Sequence, residues 1–96
     1  MATTRSTVPA ELALLDRARV AMDAGDTGRA LSLLDGYARR FPRGHMTPEA
    51  TVLRIEALVQ AGDEAGATRL ARAFLEGAPD TPYAARFRSL LARSNP

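Results

Sequence analysis

Catalysis needs nucleophiles, acid–base groups or metal ligands that converge, and this chain of 96 residues is poor in all three. It has one histidine, His45, and no cysteine. Disulfides, thiolate zinc sites, cysteine nucleophiles and any site needing two imidazoles are therefore excluded. His45 stands in the stretch Arg43-Gly-His-Met-Thr47, with no carboxylate beside it, and reads as an exposed loop residue. Ser32 lies inside a helical pattern, with no Gly-x-Ser-x-Gly turn around it. Gly25, Gly28 and Gly36 form no phosphate loop, since no lysine follows them and no strand precedes them. Asp16, Asp23 and Asp26 lack the alternating spacing and the bend glycine of a calcium loop. The sequence therefore predicts no catalytic residue, no metal and no cofactor.

Charge is the next chemistry available. All 13 basic residues are arginine, against 11 acids, for a formal net charge of +2. Alanine fills 19 positions, so the arginine bias matches the alanine- and arginine-rich composition of GC-rich coding sequence. Arg39, Arg40 and Arg43 form one cluster, and Arg86, Arg88 and Arg93 another. A small DNA-associated helical regulator using these clusters is the alternative function. A recognition helix, however, needs basic and amide side chains in its first turns. The third helical segment offers Glu49, Arg54 and Glu56, and the second Arg29 followed by Asp35. Nucleic acid thus ranks below a protein or peptide as the partner. No apolar run approaches the ~18 residues of a membrane span, so no membrane insertion is expected. The first residues contain no apolar core of a signal peptide, which predicts a cytoplasmic chain. A periplasmic location follows if the sequence is a fragment of a larger envelope protein.

Stepping from these groups to the segments that hold them, the pattern is helical throughout. Residues 1–8 read as a flexible tail and 9–96 as one small domain. Pro9 suits the first turn of a helix that runs through Leu12, Leu14, Leu15, Ala18, Ala21 and Met22 and stops at Ala24-Gly25. Asp26 caps a second helix over 27–41, ended by Pro42. Thr47-Pro48-Glu49 supplies a cap, a first-turn proline and a first-turn acid for a third helix reaching Ala61. Its apolar residues Val52, Leu53, Ile55, Leu58 and Val59 cover most of its circumference, which predicts a helix between neighbours. Gly62 stops it, and Asp63 caps a fourth helix over 64–77. Thr81 and Pro82 start a fifth, to about Arg93, with Tyr83, Phe87, Leu90 and Leu91 in one stripe.

One unit occurs twice. Ala24-Gly-Asp-Thr-Gly-Arg-Ala30 matches Ala61-Gly-Asp-Glu-Ala-Gly-Ala67 at an offset of 37 (24 to 61). Under that shift Leu33 falls on Leu70, Tyr37 on Phe74 and Pro42 on Pro79. A period in the thirties with two helices per unit is the mark of a helical solenoid. The Ala-Gly-Asp turn, the small residue four past each Asp, the aromatic seven further on and the closing proline resemble tetratricopeptide repeats, over about 10–93. The period exceeds the usual 34, no tryptophan stands early in either unit, and Thr51 replaces a large apolar residue. The stretch from Phe74 to Arg86 further resembles repeat ends in bacterial envelope proteins: outer-membrane assembly lipoproteins, periplasmic cell-division coordinators and tails of sigma-factor regulators. The resemblance implies an all-α fold of two tetratricopeptide-like hairpins plus a C-terminal capping helix, five helices in all. It also implies an interaction or adaptor module whose first helices line a concave wall.

In that arrangement Leu14, Ala18 and Ala21 face their own hairpin. Leu12, Leu15, Arg19 and Met22 form an adjacent stripe on the concave side, next to Val52, Glu56 and Val59. Either residues 1–8 or the third helix cover this stripe, or it forms a groove for a partner helix or a second copy of the chain. In the second case Arg19, Asp23 and Glu56 set register at its rim.

Overall fold

The computed structural model describes residues 6–94, and within them the fold is all helical. The helices are α1 (Val8–Asp23), α2 (Thr27–Arg40), α3 (Thr47–Gln60), α4 (Glu64–Gly77) and α5 (Ala84–Ser94). Helix α1 pairs with α2 and α3 with α4, giving two hairpins; α2 packs on α3 and α4 on α5. Residues 1–5 of the expected tail lie outside the described residues, whereas Val8 already belongs to α1.

The turns inside the two hairpins are near copies because the same residues build them. Gly25 and Gly62 adopt φ of 78° and 84°, the left-handed region that closes a helix C-terminus and that costs glycine nothing. Asp26 and Asp63 follow with backbone angles of −89°, 72° and −89°, 71°. Each aspartate accepts from the amide three residues on, at Arg29 and Gly66. This satisfies one of the otherwise unbonded amides of a helix start.

Two expected helix starts shift. Met46, not Thr47, occupies the N-cap position of α3, because the Thr47 hydroxyl donates backward to the Gly44 carbonyl at 2.8 Å. Helix α5 begins at Ala84 rather than at Thr81-Pro82: Pro82 and Tyr83 form a turn closed by the Ala84 amide on the Thr81 carbonyl, after a turn at Pro79-Asp80 closed by the Thr81 amide on the Ala78 carbonyl. That turn has a counterpart between the hairpins, where the Gly44 amide bonds the Phe41 carbonyl. The 37-residue offset thus carries Phe41 to Ala78, Gly44 to Thr81 and the start of α3 to the start of α5. Helix α5 therefore sits where the first helix of a third unit would sit.

The core is two apolar clusters in series. The first joins Leu15, Ala18, Leu34, Tyr37, Ala50, Leu53 and Ala57, from α1, α2 and α3. The second joins Val52, Ile55, Ala67, Ala71, Leu75, Ala84, Phe87 and Leu90, from α3, α4 and α5. Helix α3 contributes to both, which is why its apolar residues go round so much of its circumference. Ala30 and Ala67 have no exposed surface, as close approach within each hairpin requires.

Candidate groove between α1, α3 and α5

The first helices of the units line one side of the molecule. Helix α1 touches α3 directly, and the Gln60 side chain ties their ends together by donating to the Met22 carbonyl at 3.0 Å. Helix α5 does not close on α3 in the same way. The small Ala50 of α3 is replaced at the corresponding place in α5 by Phe87, which wedges into the second cluster. A larger side chain at the contact sets a larger distance between helices. The result is a groove of about 610 Å³ with an apolar floor of Met22, Ile55, Val59, Phe87 and Leu90.

Its polar rim is unequal on the two sides. Along α5, Arg86 pairs with Glu56 of α3 at 3.0 Å and Arg93 with Glu64 of α4 at 3.3 Å. Across the groove stands Asp23, the last residue of α1. The nearest arginine on its own helix, Arg19, points back to Asp16 at 3.7 Å.

The expected concave residues divide. Met22, Asp23, Glu56 and Val59 line the groove. Leu15 and Val52, at 3% and 4% exposure, do not: each is enclosed in one of the two clusters. For Leu15 the covering alternative holds, since Leu53 and Ala50 of α3 pack on its cluster. Leu12 is 41% exposed, but neither it nor Arg19 reaches the groove lining. The α5 residues Arg86, Phe87, Ser89, Leu90 and Arg93 complete the lining and were not expected there. Reading α5 as a plain cap hides its equivalence to α3, which places Ser89 at Val52's position and Arg93 at Glu56's.

A second site with unusual electrostatics lies away from the groove. Glu11 of α1 has no exposed surface, yet it carries a carboxylate. It accepts from the Tyr37 hydroxyl at 2.7 Å, from the Met46 amide at 2.9 Å and from the Thr7 hydroxyl. Burial pushes its pKa up, but bonds from Thr7, Tyr37 and Met46, with the charge of nearby His45, outweigh this and hold it at about 2. Burial, and secondly the bond to Glu11, push the Tyr37 hydroxyl up. Gly44 roofs the cluster so closely that a Cβ there would collide with the Tyr37 hydroxyl and the Glu11 carboxylate. Buried and accepting three hydrogen bonds, this carboxylate fastens α1 and α2 to the loop before α3.

The arginine clusters are reduced by the chain itself. Arg86 and Arg93 are ion-paired, and Arg88 donates to the Pro79 carbonyl. Arg40 lies over the Phe41 ring at 5.2 Å. Among the described residues no three histidines, cysteines or acids are grouped to hold a metal ion, and no helix is long and apolar enough to cross a membrane. Comparison with family models, with curated proteins and with solved structures finds no match in any of the three.

Proposed function

We propose that this chain is a tetratricopeptide-like interaction module that receives a partner helix or peptide in the groove between α1, α3 and α5. The observation that carries the reading is the groove itself. Its apolar floor, with Met22 and Val59 partly exposed over the buried Ile55, Phe87 and Leu90, lies on three helices and is flanked by charged residues. Such a surface suits a segment that presents an apolar stripe. Rigid helical walls cost little to order on binding, so even modest apolar burial yields net affinity. The reading assigns the chain no catalytic step.

A charge at Leu15 would be driven into the core, so that position does not test the groove. Ser89 is the better position: it is exposed and lines the groove without packing in either cluster. Ser89→Trp should fill the groove and leave the helical circular dichroism unchanged. A partner recovered with the unaltered chain, and identified by mass spectrometry, should be lost with this variant. Recovery that Ser89→Trp leaves intact would remove the groove as the docking site.

A further inference from the structure

The groove has a charge asymmetry that specifies its occupant more narrowly than its apolar floor does. On the α5 side each arginine already has an acid, Glu56 for Arg86 and Glu64 for Arg93. On the α1 side Asp23 makes no ion pair with any described residue, since Arg19 is engaged by Asp16. Helices α1 and α3 end side by side, joined by the Gln60–Met22 bond, and the starts of α2 and α4 in the same turns offset the partial charge of those ends. An exposed carboxylate without an ion pair among the described residues thus stands at one end of an apolar groove. The repeat shows that the acid is a departure: the position of Asp23 in the first unit is held by neutral Gln60 in the second.

From this charge pattern we propose that the groove binds a basic amphipathic helix, seating its apolar stripe on Met22 and Val59 and placing a lysine or arginine against Asp23. The proposal rests on the groove being the docking site and adds the sign of the partner. A cation there gains the carboxylate as a partner, while an acid meets repulsion from it.

The test uses the whole chain and two synthetic amphipathic helices with the same leucine stripe. One carries lysines in the turn that follows the stripe; the other carries glutamates. Titration calorimetry should show the lysine peptide binding about three- to tenfold more tightly at low salt, the range expected for reversing one partly exposed charge contact. The margin should shrink as salt is raised. Asp23→Lys should reverse the preference, and Ser89→Trp should abolish binding of both peptides. Equal affinities, or a preference that Asp23→Lys leaves in place, would overturn the basic partner while the groove stands. If neither peptide binds, or Ser89→Trp leaves both bound, the groove reading falls with it. Self-association of the chain that Ser89→Trp abolishes would assign the groove to a second copy and overturn the basic helix.

Discussion

Glu11 is the residue the sequence conceals best. It stands in a first helical turn, where an acid is ordinary on any surface helix. Only the repeat carries a hint of its burial. Tyr37 corresponds to Phe74, so the hydroxyl is present in the unit that has Glu11 and absent in the unit where Pro48 takes the place of the acid. A tyrosine and a glutamate that occur together in one unit, and are both missing from the other, are a pair. Groove residues Asp23 and Glu56 were legible, because an acid beside an apolar stripe marks a rim. The buried state of Leu15 was not, because helical periodicity places a residue on a face without saying which neighbour covers that face. The pH dependence of Glu11 follows from its pKa, lowered from 4.5 to about 2. A group depressed in the folded state adds stability above its unfolded pKa and forfeits it as pH falls through the folded one. Thermal melts should therefore show stability declining between about pH 4.5 and 2. In Glu11→Gln the melting temperature should be lower at neutral pH, with this acid limb flattened. An acid limb identical to that of the unaltered chain would assign the decline to other carboxylates.

At the scale of the element, the repeat made most of the architecture readable. The glycine and aspartate of each inner turn need no tertiary information, since backbone angle and capping chemistry are local. The bounds of α4 agree with the sequence pattern, and those of α2 differ by one residue. The starts of α3 and α5 were less legible: threonine and proline signal a helix start, but a threonine hydroxyl can also bond backward into the preceding loop, as Thr47 does. The two hairpins share one demand, a residue no larger than alanine where their helices cross. Ala30 and Ala67 meet it, each with 0% exposure. Ala30→Leu and Ala67→Leu should each destabilise by about 1–3 kcal/mol through overpacking. Chemical denaturation of both variants checks this, and unchanged midpoints would show that the crossing has room to spare.

For the molecule as a whole, the helix count, their pairing and the absence of any sheet among the described residues follow from period and pattern. The groove did not, because it depends on how far neighbouring helices close on each other: α1 touches α3, α5 does not, and Phe87 stands where Ala50 stands one unit earlier. The same helix seals the second cluster with Ala84, Phe87 and Leu90. Removing residues 82–96 would leave Val52, Ile55, Ala71 and Leu75 facing water. The truncated chain should aggregate, or melt without cooperativity, and a monomer with an unchanged melting temperature by light scattering and calorimetry would show that α5 is dispensable. The equivalence of the turns before α3 and α5 has one more consequence. Every unit reads the same message from its predecessor, a turn, an angle and an apolar face, and passes the same message on. If units couple only to their neighbours, folding free energy rises by one increment per unit. A further copy of residues 47–83 spliced between Tyr83 and Ala84 would return to α5 the same α4 and the same turn, and would leave one new seam, the copy's alanine against α4 where Phe87 now packs.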